Sequence, residues 1–552
     1  MTSANSPSSF SQKREFRCLR PSPLWGGLGG GAELTAPAAC SANNRFPSAA
    51  DAAGPPPTSP TRGEALYSPA TLVACLLLAG CTVGPNYHPP KTALPDRFAD
   101  AQTAGSANDS ELASWWSAFG DPELDTLVNR AIAQNLDVET AAARIREARA
   151  QEIVAGAAAL PQVDAQASAT RQRISENAIP IPPGTGGGTG GSGSASSFGL
   201  PGSEFNTFRI GFDASWEIDL WGKTRRSVEA ARARTGAAIW NRRDLQVSVA
   251  AEVANAYLTL RTLQQQIANA EAELARQERF ERLVAARARG GLVTGQDLEQ
   301  QRSQRAAAAA AIPPLKAQAE AQIHALGVLT GDTPEALIAE LSPAKALPPA
   351  PPLIPAGLPS DLLRRRPDMR AAERQLAASS ADIGVAVADL YPKFSLTAAP
   401  ALVSTALASL LTWGSRSYSI SAALDWPIFN GGRTRGNIAV ANARQDEALI
   451  AYRKAVLSGL QDVEDALSRS DGDRRQLASL EDALTTAARA EDIARTRYRG
   501  GLVIYSDVLL AQAQRLTLEK QVIETRGAQA RDTVALFKAL GGGWPEMAGA
   551  PQ

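Results

Sequence analysis

Nucleophilic, redox or metal chemistry in this chain would have to come from four cysteines and two histidines. Cys18, Cys40, Cys75 and Cys81 all lie within the first 81 of 552 residues, so no disulfide can form beyond that point. His88 sits in a proline-rich stretch and His324 in a helical pattern, and neither has partners at metal-ligand spacing. No glycine-rich nucleotide loop is present. The expectation is therefore a protein that is not an enzyme and uses no cofactor and no metal. What remains is chemistry of charge and shape. Asp213, Glu217 and Asp219 alternate with apolar residues along one stretch, and Asp425 does so in a second. Carboxylates at even spacing share one face of a strand, where they would make a wet surface acidic and mildly cation-preferring. Two further segments, Arg287 to Val293 and Arg497 to Val503, carry paired glycines (Gly290, Gly291; Gly500, Gly501) followed by Leu-Val (Leu292, Val293; Leu502, Val503). Paired glycines permit a tight reversal between antiparallel helices.

One covalent modification is legible. The apolar run ending in Leu78-Ala79-Gly80-Cys81 follows Arg62, is too short to span a bilayer, and reads as a signal-peptide core. Its ending resembles a lipobox, whose cysteine is lipidated and becomes the new N-terminus. Thr82 follows; an Asp there would suggest inner-membrane retention, so the outer membrane is the expected address. Residues 1–60 are rich in Pro, Gly and Ser without periodicity and read as a disordered leader or an over-extended start, with 61–80 as the signal peptide. Charge is balanced, 56 basic against 56 acidic residues, and no basic stripe points to nucleic acid.

The carboxylates are positioned by Asn206 to Leu220, the sharpest pattern in the chain. Phe208, Ile210, Phe212, Ala214, Trp216, Ile218 and Leu220 alternate with Arg209, Gly211, Asp213, Ser215, Glu217 and Asp219. This predicts an extended strand with one apolar and one polar face. A strand of a soluble sheet usually runs ~5–6 residues, whereas a membrane strand needs ~9–11 tilted ones, with lipid on one side and water on the other.

The chain repeats itself. At an offset of 210, Trp216 to Arg225 matches Trp426 to Arg435, the two Arg-Gly-Gly-Leu-Val segments coincide, and Asp297, Leu326 and Gly331 match Asp507, Leu536 and Gly541. Upstream the offset is 231, matching Leu160-Pro161 with Tyr391-Pro392 and Asn135 to Asp137 with Arg366 to Asp368. The difference falls around the Gly-rich run 183–194, an exposed loop. The organisation expected is a lipid-anchored segment 81–110, a first repeat 111–346, a Pro-rich linker 347–359, a second repeat 360–544 and a tail 545–552. Each repeat predicts a helix (137–159; 368–390), a strand (163–169; 394–402), a second strand, a proline-free helix of about 68 residues (222–289; 432–499), the Gly-Gly turn and a returning helix. Val249, Val253, Ala256, Leu260, Leu263, Ile267 and Ala270 trace a heptad seam, repeated loosely by Leu449, Tyr452, Val456 and Val463. Pro313-Pro314 should interrupt the first returning helix.

Four strands cannot span a bilayer alone. Every backbone polar group must be paired in lipid, and small bacterial barrels have at least eight strands. The chain must pool its strands with sister copies, and more than two copies are needed if the lumen is to stay open, since ~8 strands leave room only for side chains. Helices of ~100 Å would continue the same cylinder away from the membrane.

From about Ser114 to Trp544 the chain resembles the outer membrane factor family, the TolC-like and NodT-like lipoproteins of tripartite efflux systems. The motifs are Trp115-Trp116-Ser-Ala-Phe119-Gly-Asp121-Pro122-Glu-Leu124, Leu363 to Asp368 with Ala372-Glu373-Arg374, the paired Trp-x-Ile…Gly-x-Thr-Arg segments and the two turns. The resemblance implies an α+β membrane protein with an internal duplication. It implies a homotrimer, with a twelve-stranded outer-membrane β-barrel over a periplasmic helical barrel. It also implies a periplasmic adaptor and an inner-membrane pump of the resistance–nodulation–division class as partners, beside outer-membrane lipid. By resemblance, Cys81 takes lipid, and Gly290, Gly291, Leu292, Val293, Gly500, Gly501, Leu502 and Val503 meet the adaptor. Asp213, Glu217, Asp219 and Asp425 would line the barrel. The family often closes its far end with an acidic ring in a Leu-Asp-Ala-Gln pattern; here Leu509-Leu510-Ala511-Gln512 puts Leu510 in the acidic place. Asp507 or Leu510 is the substitute gate, with a helix-start role for Asp507 as the alternative. A type I polypeptide-secretion duct would share the fold, and an adaptor lipoprotein, with a single hairpin, is the third reading.

Overall fold

A computed structural model describes residues 82–99, 112–173, 175, 204–351 and 357–544. Cys81 and the signal peptide, the Gly-rich run 183–194, residues 352–356 of the Pro-rich linker and the tail lie outside the described residues.

The first repeat opens with a short 3₁₀ turn, Trp115–Phe119, then α1 (Pro122–Gln134) and α2 (Leu136–Ala157). Asp121 and Asn135 cap these helices by accepting from backbone N–H groups of the first turn. Pro161 ends the helical stretch, and β1 (Gln162–Arg173) and β2 (Glu204–Ile218) follow as an antiparallel pair. Gly222, in the left-handed region, starts α3 (Lys223–Arg289), a continuous helix of 67 residues. The chain returns through α4 (Gly295–Ala310) and α5 (Ile312–Leu329), broken at Ala311 where Pro313 and Pro314 cannot donate.

The second repeat runs α6 (Pro359–Arg365), α7 (Pro367–Ala388), β3 (Lys393–Ala398), β4 (Ala401–Ser404), β5 (Arg416–Ser417) and β6 (Ile420–Asp425). It ends with α8 (Arg433–Arg499), again 67 residues, and an uninterrupted α9 (Tyr505–Ala539). The strand expected over 394–402 is split at Ala399-Pro400, as Pro cannot join the ladder. The strand expected from Phe208 to Leu220 runs instead from Glu204 to Ile218, and the weakly apolar β1 continues past Ala169 to Arg173. No described helix is long and apolar enough to cross a membrane.

The sheet order is β1, β2, then β3/β4, then β6/β5, antiparallel throughout. Ala165 faces Phe212, Trp216 faces Leu396, and Leu396 faces Ala422, so the apolar positions of neighbouring strands share one face. β1 and β5/β6 are the two edges and have no second partner among the described residues.

A shared core below the sheet holds the two repeats together. Trp115 stacks on Phe537 at 5.1 Å, and Leu124, Leu258, Leu326 and Val534 are sealed from solvent. The duplication is visible in its hydrogen bonds. Asn135 Nδ2 donates to the Leu329 carbonyl at 2.9 Å, and Arg366 Nη1 donates to the Ala539 carbonyl at 3.0 Å. Donors and acceptors sit at the repeat offsets of 231 and 210, so one clasp is made twice with different side chains. Gly331 and Gly541 let the backbones approach there. A Cβ on Gly331 would lie 2.5 Å from the Gln134 carbonyl oxygen, and one on Gly541 would lie 3.0 Å from the Arg366 Cα.

Candidate functional site

The sheet presents two unlike faces. On one side Ile210, Phe212, Trp216, Ile218, Leu396 and Leu424 are exposed apolar side chains. A row of this kind on a water-soluble surface would be a large unfavourable patch. The other side carries Arg209, Asp213 and Glu217, with Gln162, Asp164, Gln166 and Ser168 opposite or beside them on β1. Asp164 sits directly across from Asp213; the weak apolar pattern of β1 hid this second carboxylate. Arg209 meets Asp213 at 3.3 Å. Asp425 lies opposite Lys393 at the other end of the sheet. Asp219 is past the strand: its carboxylate accepts from the Arg225 N–H at 3.1 Å and so satisfies a free donor at the start of α3. Its expected place on the strand's polar face is therefore corrected to a helix-start role.

Strand and helix are joined by tryptophans. Trp216 Nε1 donates to the Ala159 carbonyl at 3.0 Å, and Trp426 Nε1 donates to the Leu390 carbonyl at 3.1 Å, another pair at the repeat offsets. Trp221 stacks on Tyr391 at 4.7 Å. Such aromatics with a polar edge suit a bilayer–water boundary. The N-terminal segment is strapped to this level. Val83 N–H donates to the Trp221 carbonyl at 3.1 Å. Arg226 donates to the Val83 carbonyl at 3.2 Å and to Asn86 Oδ1 at 2.7 Å. A Cβ on Gly222 would be 2.8 Å from Thr82. Thr82 and Val83 are thus held at the strand–helix junction.

The two helical tips lie at the opposite ends of α3 and α8. Gly291 and Gly501 have φ of +68° and +73°, and the N–H groups of Leu292 and Leu502 close each turn on the carbonyls of Arg287 and Arg497, both at 2.9 Å. Leu292 and Leu502 project into solvent, 74% and 78% exposed. Val293 and Val503 instead turn inward against a small core of Phe280, Val284, Tyr498, Tyr505 and Val508. The Arg287 guanidinium, singled out by no sequence signal, ties the tips: it donates to the carbonyls of Tyr498 at 3.0 Å and Arg499 at 2.7 Å.

The turns differ in one respect. Thr294 and Asp297 form a capping box at the start of α4. At the equivalent place α9 has Ile504, exposed and unable to cap, and Asp507 and Leu510 are both exposed. Asp507 therefore takes no part in a capping box, unlike its counterpart.

Above the tips lies a buried ion cluster. Arg515 on α9 reaches Glu273 on α3 at 2.8 Å and also pairs with Glu491 on α8 and Glu519. Burial works against the Glu273 carboxylate's charge, but Arg276, Gln277 and Arg515 outweigh it and hold the pKa below the usual glutamate value.

The two long helices are sequence-equivalent yet unequally covered. Val247 on α3 is 3% exposed, while its counterpart Leu457 on α8 is 67% exposed; Ala230 is sealed, while Val440 is half-exposed. α8 thus displays an apolar face whose twin on α3 is covered within the chain.

Comparison with known proteins agrees with this layout. A family model described as outer membrane efflux protein matches residues 127–332 and 358–542, one match per repeat. The pyoverdine export outer membrane protein OpmQ of Pseudomonas aeruginosa is 36% identical over 471 residues, 85% of this chain and 96% of its own length. Nodulation protein T of Rhizobium leguminosarum bv. viciae is 30% identical over 86% of this chain and 93% of its own. The solved outer-membrane channel OprN superposes with a TM-score of 0.76 at 32% identity, covering 84% of this chain and 100% of that one. With strands built for lipid on one face and water on the other, helices continuing from them, and both repeats matched, the chain belongs to the outer membrane efflux protein family.

Proposed function

We propose that this efflux channel works as the outer-membrane exit duct of a tripartite system for small toxic compounds, passive in itself and driven by an inner-membrane pump of the resistance–nodulation–division class through a periplasmic adaptor. The observation that carries the reading is the pairing of two open sheet edges with the uncovered apolar face of α8. Both defects are repaired at once when three copies close a ring, giving twelve strands and a continuous helical wall. Relatives are named for export of pyoverdine, of solvents and of toluene, all small molecules, which favours small-molecule efflux over polypeptide secretion. Cys81 takes lipid in this reading, and the strap that holds Thr82 beside Gly222 delivers that lipid to the bilayer edge. Asp213, Glu217 and Asp425, with Asp164 added, line the barrel. Leu292 and Leu502, joined by Ile504, offer the adaptor apolar contacts at tips shaped by Gly290, Gly291, Gly500 and Gly501 over inward-turned Val293 and Val503. The test is mass in detergent: light scattering on the purified lipoprotein should return three chains, and a stable single chain would reject the duct.

At the periplasmic end, Asp507 and Leu510 are the proposed constriction. Asp507→Ala combined with Leu510→Ala should raise single-channel conductance in planar bilayers several-fold, with the melting temperature unchanged because both side chains are exposed. Unchanged conductance would move the gate elsewhere.

A further inference from the structure

The apolar face of the sheet is not uniformly open. At the end of the sheet away from the helices, the connection 405–415 folds over that face through two 3₁₀ turns, Leu407–Ser409 and Trp413–Ser415. Hydroxyls fix its shape: those of Ser404 and Ser409 are bonded at 2.7 Å, and Ser415 Oγ donates to the Ser409 carbonyl at 2.6 Å. Leu410 is buried and pins the connection down. Leu411 and Trp413 overhang a hollow of about 660 Å³ floored by Ile210, Phe212 and Leu402. Ala167 and Ala165, directly across from Ile210 and Phe212, are small and keep the hollow open towards β1. Its size falls within the ~300–1,000 Å³ of sites that hold small molecules.

A cation stands at the rim. Arg416 lies opposite Leu402, which lies opposite Ile210, so its side chain leaves the sheet on the apolar face. It is exposed, its guanidinium sits 4.2 Å over the Trp413 ring, and it meets no carboxylate among the described residues. The strand sets its height. Arg416 precedes Trp426 by ten residues of largely extended chain, about 33 Å at ~3.3 Å each. At the ~35–45° tilt of barrel strands this is about 25 Å of height, the full apolar band. Trp426 marks the boundary on the helical side, so Arg416 and Trp413 mark the opposite one, at the head-group level of the outer leaflet. The first repeat lacks the feature: at the offset of 210, Arg416, Trp413 and Leu411 correspond to Asn206, Ser203 and Pro201.

We propose that this groove binds one anionic, phosphate-bearing lipid of the outer leaflet per chain. An acyl chain lies over Ile210, Phe212 and Leu402 beneath Leu411 and Trp413, and the head-group phosphate pairs with Arg416. The inference rests on the reading of the apolar face as covered by lipid. A guanidinium at the edge of hydrocarbon is costly without a counter-charge, and a phosphate meets its planar fork with two parallel hydrogen bonds. Trp413 covers one face of the guanidinium and leaves its N–H edge for the anion. Free phosphate offers the charge but nothing to fill the hollow, and a lipid without net charge fills the hollow but leaves Arg416 without a full counter-charge. Copies pool strands through sheet edges, so this outward face stays open in the assembled ring and the trimer carries three such sites.

Quenching of Trp413 fluorescence tests this. Full-length protein is reconstituted into phosphatidylcholine vesicles holding a minor fraction of phosphatidylglycerol, with bromine on the chains of one lipid or the other. The Trp413 signal is the difference between the natural chain and Trp413→Phe. Brominating the minor, anionic lipid should quench Trp413 several-fold more than its share of the bilayer, and Arg416→Gln should bring quenching down to that share. Arg416→Lys, which keeps the charge without the fork, should fall between. Inorganic phosphate in the buffer should not restore the emission. Quenching of the natural chain at the bilayer share alone overturns the inference, as does quenching unchanged in Arg416→Gln. Recovery of emission with inorganic phosphate overturns the lipid in favour of a plain anion site. If Trp413 is quenched by neither lipid while Trp216 and Trp426 still are, protein covers the groove and the inference falls alone. If no tryptophan of the sheet is quenched by either lipid, the lipid-covered face is lost, and this inference with it.

Discussion

Replacing Arg515 by Ala should destabilise the tip end of the molecule by roughly 3–5 kcal/mol, the range for removing one partner from a buried ion pair. The figure applies without discount for screening because Arg515, Glu273 and Glu491 are all under a tenth exposed. Arg276 and Arg495 remain beside the orphaned carboxylates, so the loss stays short of complete unfolding. Hydrogen exchange should locate the change in α3 near Glu273, the end of α8 and the start of α9, with the core around Trp115 and Phe537 unaffected. A pH signature accompanies it. Glu273 has a depressed pKa in the folded chain, so the stability it contributes is present above the unfolded glutamate value and is lost as pH falls through the folded value. Without Arg515 that depression shrinks, and acid loosening of the tips should begin at a higher pH. Arg515→Lys should recover only part of the stability, since an ammonium cannot fork to three carboxylates. An unchanged exchange pattern in Arg515→Ala would mean the cluster does not join the hairpins.

Much of this architecture was legible before any coordinates. The heptad seam and lack of proline set α3 and α8 to within one residue, because 3.6-residue periodicity over 67 residues leaves little freedom. Pro161, Pro392 and the Pro313-Pro314 pair marked breaks for the simple reason that they lack a donor. Strand ends were less readable. Alternation continues through Asp219 and Leu220, yet the ladder stops at Ile218, because Asp219 is claimed by the first turn of α3. At the other end the apolar pattern of β1 fades after Ala169 while backbone pairing continues to Arg173 against Glu204; backbone hydrogen bonding does not depend on apolar side chains. Arg287 and Ile504 were missed for different reasons. Arg287 acts through carbonyls, which have no sequence signature, and Ile504 becomes informative only when set against Thr294 in the other repeat. The repeat is the most productive signal in the chain, since it turns one structure into a comparison of two environments.

That comparison sharpens the choice of face on β2, where adjacent residues should respond in opposite ways. Phe212 lies near the middle of β2 on the apolar face and is more than half exposed; its neighbour Asp213 points to the other side. If lipid covers the apolar face, Phe212→Arg should cost about 2–4 kcal/mol per chain, the penalty for arginine near a bilayer midplane. The ring repeats it three times, so outer-membrane insertion should fail almost completely. Asp213→Asn removes only an ion pair with Arg209, whose side chain is over a third exposed, and such pairs contribute about 0–1 kcal/mol. It should insert normally and instead reduce the cation preference of the open pore, read as a shift in reversal potential across a salt gradient. Heat-modifiable migration of membrane-extracted protein separates the two variants directly. A soluble sheet would predict the reverse order for solubility, with an arginine in place of an exposed phenylalanine improving it. Normal assembly of Phe212→Arg would therefore count against lipid on that face, and with it against the pooling of strands between copies.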